Sequence, residues 1–266
     1  MNQNITKAIL PLAALSCVHG KMLAQDAARP NILYIMCDDH AMQAISAYGS
    51  PISKLAPTPN IDRLAQRGML FRNCFVENSL STPSRACLMT GLYSHQNGQR
   101  QLAEGIDTTK TFVPELMQKA GYETGIVGKW HMMCRPKGFD YYYILDGQGK
   151  YYNPNFCTTG NYGKYKQEMG YATTLTTQHA IEFLDHRQKD KPFCLYVHHK
   201  APHRSWFAEP KHIGMYDGVD FPLPKTFWDN YENRGSAAKT QKMNIEKDME
   251  LILDFKIPEL LDTSDV

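Results

Sequence analysis

The chain has 266 residues, of which 42% are apolar and 21% charged, and its formal net charge is +2. That suits one globular domain with a sizeable core. A charge this close to neutral, with no block of basic residues, excludes a nucleic-acid surface. The 15 Tyr, 11 Phe and 3 Trp are ample for carbohydrate stacking but equally ordinary for a packed α/β core.

Residues 1–24 read as an export signal. Lys7 supplies the positive start, an apolar run covers residues 8–18, and Ala24 offers a small residue for cleavage before Gln25. The run is too short to span a bilayer, which takes about 20 residues. The mature chain, residues 25–266, is therefore expected to be periplasmic or extracellular, with no transmembrane segment after signal removal. Cys17 follows Ala-Leu-Ser in a partial lipoprotein box, but Ala14 stands where Leu is usual, so simple cleavage is preferred to lipidation. Six further cysteines (Cys37, Cys74, Cys87, Cys134, Cys157 and Cys194) show no C-x-x-C spacing, which argues against a zinc ribbon or redox motif. Cys37, Cys74, Cys87 and Cys194 lie in apolar runs and are expected to be buried; one disulfide after export stays open.

In chain order, residues 31–37 form a continuous apolar run, expected to be a strand buried on both faces of a parallel sheet. Thr58 and Pro59 open a helix over residues 60–67, closed by Gly68. A strand is predicted at 69–76, a helix from 81 to 91, a helix at 112–120 and a strand at 123–127. Residues 137–170, rich in Tyr, Gly and Asn, read as a long functional loop. A helix at 175–186 and a buried strand at 192–199 follow, then irregular chain over 202–234 and a helix at 237–255. Alternating strands and helices define an α/β fold with a mainly parallel central sheet. Such sheets bind ligands beyond the carboxyl ends of their strands. Three groups of reactive residues each directly follow a predicted strand: Asp38-Asp39, Lys129-Trp130-His131, and the run from His198 to His203. Their shared placement points to one site.

Ser81-Thr82-Pro83-Ser84-Arg85-Ala86-Cys87-Leu88-Met89-Thr90-Gly91 puts a hydroxyl at a helix cap with Pro83 in the first turn. A helix N-terminus with free N–H groups, backed by the forked cation of Arg85, suits an anion such as sulfate or phosphate. An Asp-Asp pair at a strand end can grip a hard cation. Taken singly, each has an ordinary reading as a helix cap, an acidic turn, a solvated lysine or a structural histidine. His198 and His199 alternate across a strand end, so at most one faces the site.

The run from Ser81 to Gly91 resembles the signature of the sulfatases: Cys or Ser, any residue, Pro, Ser, Arg, and a closing Thr-Gly. The resemblance extends over residues 29 to about 254 and implies an alkaline-phosphatase-like sandwich. It implies that Ser81 is oxidised to formylglycine by a radical-SAM maturase. One hydroxyl of the hydrated aldehyde then attacks sulfur and the other expels sulfate. Asp38, Asp39 and modified Ser81 become ligands of Ca2+ or Mg2+. Arg85, Lys129 and His131 become catalytic, with Lys129 on the sulfate and His131 on the formylglycine hydroxyl. Ala201-Pro202-His203 resembles the segment whose histidine protonates the leaving alcohol, so His203 is the expected general acid and substrate contact. His95 and Arg204 are expected near the sulfate or sugar. The loops at 147–154 and 204–206 are similar to those of N-acetylglucosamine-6-sulfatases acting on glycosaminoglycan or mucin glycans.

Family members run longer and later supply an Asp followed by Asn, Gln or His to the metal, then a Lys to the sulfate. Nothing after His203 fits; Asp229-Asn230 lies in a Pro-flanked loop. The resemblance thus implies a fold incomplete at its C-terminus, an exposed apolar sheet edge and impaired activity. The alternatives are a phosphodiesterase or phosphonate hydrolase of the same fold, or an inactive glycan-binding remnant.

Overall fold

The computed structural model describes residues 29–256. The expected signal segment lies outside them, and a compact unit begins at Asn31. Six strands form one sheet: β1 (Ile32–Cys37), β2 (Glu123–Gly128), β3 (Tyr141–Leu145), β4 (Asn155–Thr158), β5 (Lys166–Gln167) and β6 (Phe193–His199). Their order is β1-β6-β2-β3-β4-β5. The first four in that order run parallel, and β4 and β5 extend the sheet antiparallel.

Helices cover both faces. Strand residues alternate between two cores because successive side chains point to opposite faces. Ile126, Cys194 and Tyr196 pack on one face with Ala86, Met89 and Phe112. That face is covered by α2 (Ser81–Thr90) and by α4 (Val113–Lys119), which follows the single-turn α3 (Ser94–Asn97). Val127, Phe193, Leu195 and Val197 pack on the other face with Ala180 and Phe183 of α5 (Ala172–His186). The buried residues Leu175, Thr176, His179, Ala180 and Phe183 form a stripe at helical spacing. α1 (Pro59–Arg67) begins at Pro59, as predicted, and α4 begins where Glu115 accepts the Phe112 N–H at 2.8 Å.

Several expectations are corrected. β1 is an edge strand of the sheet, with Leu33 49% and Ile35 54% exposed, so it is not buried on both faces. Residues 69–76 form no strand: Phe71, Phe75 and Val76 are exposed, and a β-run without a ladder partner has nothing to stabilise it. The supposed loop at 137–170 contains β3, β4 and β5, short strands whose signal was masked by the turns between them. The C-terminal helix shrinks to α6 (Ser236–Thr240). Beyond it, Asn244 and Asp248 side chains take up backbone N–H groups of Glu246 and Asn244, which competes with helix formation. Cys37 and Cys74 are exposed, while Cys87 and Cys194 are buried as expected; the cysteines among the described residues are free thiols. No helix among the described residues is long and apolar enough to cross a membrane.

Candidate active site

The sheet register assembles the site. Cys37 lies beside His199, and Gly128 beside His198, so β1, β6 and β2 end level with one another. The residues that follow (Asp38-Asp39, His203 and Lys129-His131) therefore emerge together at the carboxyl end of the sheet, the position open α/β sheets reserve for ligands. Asp38 N–H bonds the Ala201 carbonyl at 3.1 Å, and Lys129 N–H the His198 carbonyl at 2.7 Å. Gly128 takes φ +89°, and a Cβ there would lie 2.1 Å from the His198 carbonyl oxygen, so only glycine admits this approach.

α2 delivers the signature residues to the same place. Ser81 is its first helical residue and Leu80 its N-cap, with no side-chain cap bond. The hydroxyl is thus not a cap, contrary to the sequence expectation. Instead Ser81 Oγ lies 3.1 Å from His131 Nδ1 and accepts from Arg85 Nε at 3.3 Å. Arg85, 2% exposed, also donates to the Lys129 carbonyl at 2.7 Å and to His198 Nδ1 at 3.0 Å, and approaches Asp38 Oδ1 at 3.5 Å. Its Nη2 makes no hydrogen bond. The Lys129 ammonium donates to Asp38 Oδ2 and to Gln148 Oε1. His203 Nε2 lies 3.6 Å from Asp39 Oδ2.

These contacts link Asp38, Ser81, Arg85, Lys129 and His131 into one cluster, beside which the chain sets the Asp39–His203 pair, Asp39 directly following Asp38. Of the histidine pair, His198 faces it and His199 lines an apolar groove beside β1 and α5. Two expected residues stand apart. Arg204 forms a two-pronged pair with Asp254 at 2.6 Å for both bonds, and His95 stacks on Tyr93 with ring centroids 5.9 Å apart. Gln148 was hidden from sequence reading inside the supposed loop; it follows β3, whose end lies next to β2.

Electrostatics in this cluster follow from burial. Desolvation, reinforced by the Lys129 and Arg85 charges, pushes His131 down to about 4, so its ring is neutral at neutral pH and its Nδ1 can accept a proton. Desolvation also lowers Lys129 to about 8, although Asp38 pulls it upward. His198 is held well below the ordinary histidine value by burial and by Arg85.

Hard divalent cations prefer six or more oxygens. Asp38, Asp39 and the Ser81 oxygen are a donor set of that kind, but among the described residues no three His, Cys, Asp or Glu are arranged to hold a metal. The fit is in chemistry and not in number.

A mostly parallel sheet brings a serine-bearing helix, two aspartates and a lysine together at its carboxyl end. The sulfatase family model matches residues 30–245, and the chain belongs to the sulfatase family. It is 44% identical over 97% of its length to an N-acetylglucosamine-6-O-sulfatase of Bacteroides thetaiotaomicron, 46% of which is covered. It is 31% identical to human N-acetylgalactosamine-6-sulfatase, over 86% of this chain and 47% of that protein. Among solved structures, BT4656 in complex with its substrate D-glucosamine-2-N,6-O-disulfate superposes with a TM-score of 0.81 at 46% identity, over 86% of this chain and 46% of that one. The chain spans about half the length of the curated relatives it matches.

Proposed function

We propose that this chain carries the nucleophile half of a sulfuric ester hydrolase acting on sulfated carbohydrates, with a 6-O-sulfated glucosamine-type sugar as substrate. The observation that carries the reading is the linkage of Ser81, Arg85, Asp38, Lys129 and His131 at one sheet end in a chain of the sulfatase family. The sugar class is supported by the N-acetylglucosamine-6-O-sulfatase relative and by the disulfated glucosamine bound to the structural neighbour. Residues 25–266 are read as the N-terminal catalytic domain and residues 1–24 as a signal for export to the periplasm or beyond.

Ca2+ or Mg2+ held by Asp38, Asp39 and residue 81 would supply positive charge to the sulfate, and a formylglycine at position 81 a reactive hydroxyl. Neutral His131 is placed to take a proton at Nδ1 from the side chain of residue 81. Arg85 holds that side chain and Asp38 in fixed relation. Lys129 brings a buried cation to the sulfate oxygens. His203 presents Nε2 as the acid for the leaving alcohol. Arg204 reaches the sugar once its pair with Asp254 opens.

Coexpression with a radical-SAM maturase tests the reading. Peptide mass spectrometry should show residue 81 lighter by two hydrogens, and the purified chain should release sulfate from N-acetylglucosamine 6-sulfate and from aryl sulfates only slowly. An unmodified serine, or faster turnover of aryl phosphates than of aryl sulfates, would count against it. The relatives do not favour the alternative of a phosphodiesterase or phosphonate hydrolase.

A further inference from the structure

The segment that carries His203 has no helix or strand between Lys200 and Ala208. Backbone carbonyls in such a segment need partners from elsewhere. Three tyrosine hydroxyls supply them. Tyr151 donates to the His203 carbonyl at 2.5 Å, Tyr171 to the Phe207 carbonyl at 2.8 Å, and Tyr152 to the Ala208 carbonyl. Tyr151 is 6% exposed; its ring stacks 6.0 Å from Tyr171, lies 6.1 Å from Phe207, and carries the Lys200 ammonium 5.0 Å above it.

The tyrosines are themselves anchored. Ala172 N–H bonds the Tyr151 carbonyl at 2.8 Å, Asn153 N–H the Gly170 carbonyl at 2.8 Å, and Tyr152 pairs with Tyr171 as an antiparallel bridge. The loop after β3 is thus locked to the start of α5. The same loop presents Gln148 to the Lys129 ammonium. Within four residues it touches a group at each end of the site, Lys129 and His203.

His203 has one free ring nitrogen. Its Nδ1 lies 2.5 Å from the Arg204 carbonyl, which only accepts, so Nδ1 carries a proton and Nε2 faces Asp39. We propose that Tyr151 is a positioning residue: by fixing the His203 carbonyl it sets where Nε2 stands relative to the sulfate held by Lys129. This rests on the reading of His203 as the leaving-group acid. As the nucleophile at residue 81 bonds to sulfur and the S–O bond to the sugar breaks, the electron pair of that bond goes to the sugar oxygen, which takes the Nε2 proton of a His203 ring protonated at both nitrogens, Nε2–H towards Asp39.

The test compares leaving groups. Tyr151→Phe keeps the ring and removes only the hydroxyl. On the matured chain, Y151F is expected to lower kcat on N-acetylglucosamine 6-sulfate at least about 10-fold, a share of the 10²–10⁴ that general acids contribute. Turnover of 4-nitrophenyl sulfate, whose leaving group needs no proton, should stay within about 2-fold. Tyr162→Phe, exposed and remote from the cluster, should change neither. Equal losses on both esters, or no loss on the sugar sulfate, overturn the proposal. Should Y151F fail to fold, Tyr171→Phe is read in its place, with the same selectivity expected at smaller size. If the matured wild-type chain releases sulfate from neither ester, the reading of this chain as active by itself fails while its family membership stands. The positioning claim is then read by NMR on ring-labelled histidine. A slowly exchanging His203 Nδ1–H present in the wild type and lost in Y151F upholds it, and an unchanged signal refutes it.

Discussion

Lys129 and Asp38 form a buried ion pair in which the lysine side chain is 0% and the aspartate 8% exposed. They follow different strands, β1 and β2, and lie 91 residues apart in the chain. Removing one partner of a buried pair strands the other and costs about 3–5 kcal/mol. Asp38→Asn is expected to approach that loss, because Lys129 would keep only Gln148 while facing Arg85. Lys129→Met should cost less, about 1–3 kcal/mol, since Asp38 retains Arg85 at 3.5 Å. The double variant should be more stable than the sum of the single losses predicts. Urea unfolding of the four proteins checks all three statements.

Gly128 is the point where β2 hands the chain to Lys129. A methyl group there meets the backbone oxygen of His198 at 2.1 Å, and the residue already sits at φ +89°. Neither strand can give way without breaking the parallel register that aligns the site. Gly128→Ala is expected to destabilise the fold by at least about 3 kcal/mol, combining backbone strain with the clash. A urea midpoint equal to that of the wild type would contradict it.

Arg85 serves as a fork with bonds to the Lys129 carbonyl, His198 and Ser81. A lysine at this position keeps the charge and cannot reproduce the planar set of donors. Arg85→Lys should cost about 2–3 kcal/mol, because a buried carbonyl and a buried imidazole lose their donor. It should also lower sulfate release, measured beside the unfolding curve.

Stability should fall on acidification. His198 stays neutral in the fold because burial and Arg85 hold its pKa well below the ordinary value. In the unfolded chain it gains a proton near pH 6.5. Below that pH the unfolded state binds more protons, so the folded state loses ground. Its share between pH 7.5 and 5.5 is about 1.4 kcal/mol. Urea midpoints at the two pH values measure the drop, and His198→Gln should show a shallower one.

The ends of the strongest elements were legible in the sequence because their causes are local. Pro59 opens α1, the run from Phe193 to His199 reads as a buried strand, and Gly91 closes α2 at φ 66°. Short strands such as β4 and β5 gave no such signal, since four- and two-residue strands exist through their partners. The free run at 69–76 shows the reverse: suitable residues with no neighbour remain a loop.

By itself the sequence determined which reactive residues follow strands and which string surrounds Ser81. A parallel sheet with strands ending in register then makes their convergence a consequence of backbone hydrogen bonding. Only the tertiary structure decided that Ser81 leaves its helix without a side-chain cap, that Gln148 reaches Lys129, that Arg204 is taken by Asp254, and that Tyr151 grips His203. Those choices depend on distances between side chains far apart in the chain, and no local pattern encodes a distance that packing sets.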